Sequence, residues 1–137
     1  MVREQLDGGE RLIRRLVASG FNLAGGLWTQ AEGDGQVYLY LITPEVEGRD
    51  PRIAYGKLAA TQKAIEQEGV HWLERIDQFG VKLIPPSRPL ARGVLEEYRR
   101  YPVPTPTWRG GSILGPVYSD GAYIYPPSLF QPQPQAG

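Results

Sequence analysis

Apolar residues recur at helical spacing in three stretches of the chain. Residues 3–19 place Leu6, Ile13, Leu16 and Val17 near one stripe, with arginines on the remainder, which predicts an amphipathic helix that stops at Gly20. Asp50 and Pro51 are typical of a helix cap and a first helical position, so a second helix is expected to run to about residue 68. Residues 89–100 form the third stretch, whose inward positions are Leu90, Val94, Leu95 and Tyr98.

Between these helices, the pattern indicates three strands. Residues 21–30 and 36–43 are apolar runs joined by a short glycine-rich link, which predicts a hairpin. Both faces of 36–43 are apolar, as expected of a central strand, and Gly25-Gly26 in the first strand predicts a bulge or a close backbone approach. Residues 78–84 form the third strand, and the helical crossover from residue 50 predicts that it runs parallel to 36–43.

The predicted order of elements is α-β-β-α-β-α, followed by a different kind of segment. Hairpins and helices without regular alternation indicate an α+β fold with a small mixed sheet. We therefore expect a globular domain over residues 1–101. Residues 102–137 would then be an extended C-terminal arm, made of a proline-rich linker (102–111), a β-hairpin (112–125) and a low-complexity tail (126–137).

Charge separates the two parts. Residues 102–137 carry only two charged side chains, Arg109 and Asp120, and hold eight of the 13 prolines. Uncharged aromatic surfaces are typical of interface cores. The arm is thus predicted to dock on a protein partner or on a second copy of the chain, which would make this a non-enzymatic subunit or adaptor. The predicted contact residues are Trp108, Tyr118, Tyr123, Tyr125, Leu129 and Phe130.

The Asp120-Gly121 pair lies between two apolar runs, which favours a tight hairpin turn. In that register Tyr118 would lie opposite Tyr123 on one face, and Val117 opposite Ile124 on the other. Because an isolated hairpin is marginal in water, one face must pack on the globule. We expect Val117 and Ile124 to point inward and the tyrosines to meet a partner.

Two other function classes stay open. Basic and aromatic residues alternate between residues 88 and 109, and such a pattern could bind single-stranded nucleic acid. The residues concerned are Arg88, Arg92, Arg99, Arg100 and Arg109. The formal net charge is zero, which argues against a dedicated nucleic-acid binder.

The second alternative is a small metal-dependent enzyme. Glu45, Glu47 and Asp50 follow a predicted strand, where hard cations are often bound, although Asp50 is better explained as a helix cap. His71 is the single histidine and the chain contains no cysteine, which excludes thiolate metal sites and thiol catalysis. We therefore predict no catalytic residue, metal or cofactor. A cytoplasmic location and no membrane span are expected, since no leader-like or 20-residue apolar run is present.

Overall fold

The computed structural model describes residues 3–30, 37–68, 80–100, 107–110, 113–114, 117–118 and 121–130. Within them lie three helices, which we number α1 (Arg3–Ala18), α2 (Pro51–Gln67) and α3 (Pro89–Arg100). The strands are β1 (Gly25–Thr29), β2 (Tyr38–Ile42), β3 (Val81–Ile84), β4 (Thr107–Gly110), β5 (Ile113–Leu114), β6 (Val117–Tyr118) and β7 (Gly121–Ile124). Short 3-10 turns cover Pro44–Val46 and Pro127–Phe130.

Five of the described strands form one mixed sheet, in the order β3-β2-β1-β7-β4. β2 pairs with β1 in an antiparallel sense and with β3 in a parallel sense, so the predicted α+β class, mixed sheet and parallel crossover are confirmed. β2 lies between two neighbours and buries residues on both faces, as its apolar pattern predicted. β5 and β6 make a separate two-stranded unit.

The central strands β1 and β2 are covered on both faces of the sheet. Alternate β2 residues reach opposite sides, because successive side chains of a strand point to opposite faces. Leu39 and Leu41 join the core under α1 and α2, whereas Tyr40 and Ile42 join the core under α3. α3 also packs against β5. The result is a helix–sheet–helix sandwich in which both sides of the central strands are buried.

Local sequence signals account for the helix ends. Gly20 follows α1 with a φ of 89°, a left-handed conformation that glycine adopts without a steric penalty. The Asp50 carboxylate accepts a hydrogen bond from the Arg52 amide at 3.0 Å, which confirms its predicted role as the cap of α2. The predicted third helix coincides with α3, from Pro89 to Arg100.

The strand pairing predicted for the Asp120-Gly121 hairpin, with Tyr118 opposite Tyr123, is wrong, and Asp120 itself lies outside the described residues. Gly121 is instead the first residue of β7, and Tyr123 lies opposite Trp28 of β1 and Trp108 of β4. Tyr118 pairs with Ile113, not with Tyr123. A strand that enters the sheet gains two ladders of backbone hydrogen bonds and a buried face, which an isolated hairpin cannot offer.

Candidate partner-binding surface

The last described residues of the chain belong to its own core. Tyr125 is 2% exposed, and Ile124, Leu129 and Phe130 are also buried. Ile124 packs under α3, whereas the other three lie in the core beneath α1 and α2. Phe130 meets the sheet at Gly26, where a Cβ would lie only 3.1 Å from the Phe130 ring. β1 pairs with β2 without a bulge at Gly25-Gly26, and the close approach there is made by side chains, including Phe130, so this part of the C-terminal segment packs in cis.

The Tyr125 hydroxyl ties three parts of the fold together. It accepts a hydrogen bond from the Trp28 indole Nε1 at 2.9 Å and donates to the Leu6 carbonyl at 2.6 Å. α1 comes this close because Gly9 faces the Tyr125 hydroxyl, at a position where any Cβ would collide with it. Buried polar atoms are costly when they lack partners, so this network holds α1, β1 and the end of β7 in one arrangement.

The Tyr98 hydroxyl bridges two backbone groups, the Gly26 amide and the Tyr125 carbonyl, that do not bond to each other directly. The Tyr125 amide donates to the Gly26 carbonyl at 3.0 Å, but the return bond is not direct. The Tyr98 hydroxyl lies between the two groups instead: it accepts from the Gly26 amide at 3.5 Å and donates to the Tyr125 carbonyl at 2.6 Å. Burial raises the pKa of Tyr98 and of Tyr125, so both phenols stay protonated and can keep donating.

Three of the six predicted contact residues therefore lie in the core. Tyr125, Leu129 and Phe130 are buried, and a partner would have to displace them to touch them. Their low charge and aromatic character are shared by interface and core residues, so composition alone could not separate the two roles. Sequence reasoning also missed the bridging role of Tyr98, for which the chain gives no local signal.

Tyr123 has a different environment from Tyr125. Its side chain is half-buried, and its ring meets the Tyr125 ring edge-on with centroids 5.3 Å apart. Partial burial, followed by the nearby carboxylates of Glu10 and Asp7, raises the pKa of Tyr123. Trp108 lies opposite Tyr123 in the register, on β4, one of the two edge strands of the described sheet. We call Tyr123 together with β4 the β7–β4 margin.

The remaining predicted contact residue, Tyr118, lies in β6 opposite Ile113. β6 belongs to the two-stranded unit and is not a neighbour of β7 in the sheet. Tyr118 and Tyr123 therefore do not form the cross-strand tyrosine pair that the sequence predicted.

The arginines of the nucleic-acid alternative are only partly brought together. Arg88, Arg92 and Arg99 are exposed, and they lie just before or along α3. Arg100 is the last residue of the same helix, and Arg109 lies in β4. Glu96 is exposed on α3 as well, so acidic and basic side chains are mixed along this helix.

Each carboxylate of the loop after β2 has a structural partner. Glu45 accepts from the Asn22 amide at 3.0 Å and from Lys57 Nζ at 2.7 Å. Desolvation alone would raise the pKa of Glu45, but the hydrogen bonds from Lys57 and Asn22 outweigh it and hold that pKa below its usual value. Glu47 accepts from Ser87 Oγ at 2.8 Å. The Arg52 side chain and amide lower the pKa of Asp50.

These partners leave no metal centre in the described part of the chain. Among those residues, no three histidine, aspartate or glutamate side chains lie close enough to hold a metal ion. His71 falls outside the described residues. Of the helices described, none has both the length and the apolar character needed to cross a membrane.

Comparison of the chain with protein-family models, with curated proteins and with solved structures gives no match. The inference of function therefore rests on the residues and their geometry.

Proposed function

We propose that this chain is a small non-enzymatic interaction protein, a subunit or adaptor, that docks on a protein partner through the β7–β4 margin. The observation that carries the proposal is the contrast within β7: Ile124 and the following Tyr125 are buried, whereas Tyr123 stays half-buried. Tyrosine suits such a position because its ring gives apolar contact and its hydroxyl tolerates water. Tryptophan and tyrosine are also the residues that most often dominate binding energy at interfaces.

The proposed surface is smaller than the whole C-terminal arm. Tyr125, Leu129 and Phe130 belong to the core, so the proposed contact does not include them. Trp108, opposite Tyr123 in the register, is the second aromatic residue of the proposed contact. The carboxylates Glu45, Glu47 and Asp50 have structural partners, which gives no support to a metal-dependent enzyme.

Site-specific photo-crosslinking tests the proposal. Replacing Tyr123 by the photoreactive residue p-benzoylphenylalanine should give an ultraviolet-dependent adduct heavier than the 15.3 kDa chain, either with another protein or with a second copy. The matched control is the same replacement at Ile53, which is 64% exposed and lies on α2, away from the margin. No adduct from position 123, or equal adducts from both positions, would contradict the proposal.

The Tyr123→Ser variant gives the complementary measurement. Because Tyr123 is only half-buried, the melting temperature should fall by a few degrees at most, as for a loss of about 1 kcal/mol. Association should fall at least tenfold. Truncation after residue 102 is not a usable test, because it would remove β7 from the middle of the sheet.

Single-stranded nucleic acid is the alternative ligand, supported by the exposed Arg88, Arg92 and Arg99. It predicts binding that weakens steeply as salt is added. A gel shift at low salt with single-stranded DNA and RNA decides between the two: binding that Arg92→Glu abolishes and Tyr123→Ser leaves intact would favour nucleic acid.

A further inference from the structure

The two edges of the described sheet differ in their backbone groups. β3 forms one edge and β4 the other. On β3, the outward amide of Leu83 donates to the Tyr55 hydroxyl at 2.9 Å, so a side chain from α2 already occupies this position. Edge strands with unpaired amides are templates for added strands, and covering them is a common protection.

The register fixes which backbone groups of β4 face outward. Tyr125 bonds to Gly26 of β1, so in β7 the odd-numbered residues direct their backbone groups toward β1. Antiparallel strands alternate these directions, and the even-numbered residues Ala122 and Ile124 therefore face β4. Their partners are Arg109 and Thr107. The N–H and C=O groups of Trp108 and Gly110 are consequently directed away from β7.

The sequence before β4 contains few backbone amides that could donate to an added strand. Residues 102, 104 and 106 are all prolines, which lack an amide hydrogen and share the even numbering of Trp108 and Gly110. After Arg100, Trp108 is thus the first even-numbered residue that can donate a backbone hydrogen bond. β4 itself has four residues, of which Trp108 and Gly110 direct their backbone groups away from β7, so an added strand would be short and centred on Arg109.

The charge of Arg109 indicates which kind of strand would pair with β4. A second copy paired about a two-fold axis through residue 109 would place two arginines directly opposite each other, and like charges in that position are destabilising. A carboxylate opposite Arg109 would be favoured instead. By register, residues opposite Trp108 and Gly110 would lie on the same face of the sheet as Tyr123 and Trp28, and cross-strand pairing with aromatic residues favours apolar side chains there.

We propose that the partner binds by adding a short extended segment to β4, with an acidic residue opposite Arg109 between two apolar residues. The segment belongs to a different protein. This inference rests on the proposed function, because it specifies how the β7–β4 margin is used. Backbone hydrogen bonds would supply register, and the alternating side chains would supply selectivity.

Selection from a displayed library of random 12-residue peptides on the full chain tests this mode of binding. Enriched peptides should share an apolar–acidic–apolar pattern, and binding should fall at least tenfold in Gly110→Pro, which removes an outward amide. Gly110→Ala keeps that amide and is the matched control. Arg109→Glu should reverse the preference from acidic to basic peptides, which keeps the test valid if the proline variant folds poorly.

Three outcomes would overturn strand addition: no enriched peptide, a helical or proline-rich consensus, or equal binding by Gly110→Pro and Gly110→Ala with no preference change in Arg109→Glu. A chain that instead forms dimers abolished by Gly110→Pro would show that a second copy is the occupant. The proposed function fails separately, when position 123 gives no crosslink. If position 123 gives crosslinks but the Gly110→Pro variant binds peptides as well as the unmodified chain, strand addition would be contradicted and the proposed function would stand.

Discussion

Residues 124–130 and the β7–β4 margin come from the same uncharged segment but have different environments. Four residues of the first region (Ile124, Tyr125, Leu129 and Phe130) are buried against α1, α3 and Gly26, and the Tyr125 hydroxyl has two hydrogen-bond partners. The second keeps Tyr123 half-exposed beside an outer strand. Aromatic, proline-rich composition thus indicates residues that favour burial. The sheet register then determines whether they are buried by the chain itself or stay partly exposed.

The largest expected loss of stability comes from substitution of Phe130. Its ring packs on Gly26 and lies 6.4 Å from the Tyr98 ring, so Phe130→Ala removes a buried side chain from a closely packed site. We expect the free energy of unfolding to fall by about 3–5 kcal/mol in denaturant titrations. Ile53→Ala, at an exposed position, should stay within about 0.5 kcal/mol. Equal effects of the two substitutions would break the distinction between core and surface.

Tyr125→Phe should have the next largest effect. The substitution leaves the Trp28 indole N–H and the Leu6 carbonyl without their shared partner. Buried unsatisfied groups cost about 1–3 kcal/mol, which denaturant titration can measure. In a double-mutant cycle with Trp28→Phe, the combined loss should be smaller than the sum of the single losses. A change below about 0.5 kcal/mol would show that the hydroxyl does not hold α1 in place.

Much of the framework could be predicted from sequence, because it depends on local spacing. The period of α3, the cap at Asp50 and the two apolar faces of β2 are visible within a few residues. β7 could not be placed this way. Asp120-Gly121 resembles a hairpin turn locally, but the ladders of β7 join it to β1 and β4 through non-local pairing. The same limit explains why the sequence pattern predicts a partner contact for Tyr125, which lies in the core.

The pH dependence of stability tests whether the Tyr125 phenol is buried in the core. Burial raises the pKa of Tyr125 above its ordinary value of 10.0, so the folded state favours the neutral phenol. This contribution to stability is fully present below about pH 10 and is lost as the pH rises through the folded-state pKa. We expect the free energy of unfolding to decline above pH 10, and to decline less steeply in Tyr125→Phe. Identical slopes would contradict a buried Tyr125 hydroxyl.

The smallest expected effect lies at the opposite edge of the sheet. Tyr55→Phe removes the acceptor of the Leu83 amide while keeping the ring. Loss of one hydrogen bond of about 1 kcal/mol should speed hydrogen exchange at Leu83 about fivefold. The Leu39 amide, which bonds to the Gly80 carbonyl within the ladder, is the internal control and should not change. Unchanged exchange at Leu83 would remove the contrast between a covered β3 edge and the β7–β4 margin.

Whether β7 is part of the chain's own sheet is tested most directly by hydrogen exchange at the Tyr125 amide, measured by NMR at two protein concentrations. That amide donates to the Gly26 carbonyl at 3.0 Å between two buried residues of the core. It should exchange as slowly as the Leu39 amide of central β2, at a rate independent of concentration. Exchange many times faster than at Leu39, or protection that grows with protein concentration, would show that the segment does not complete the sheet in cis.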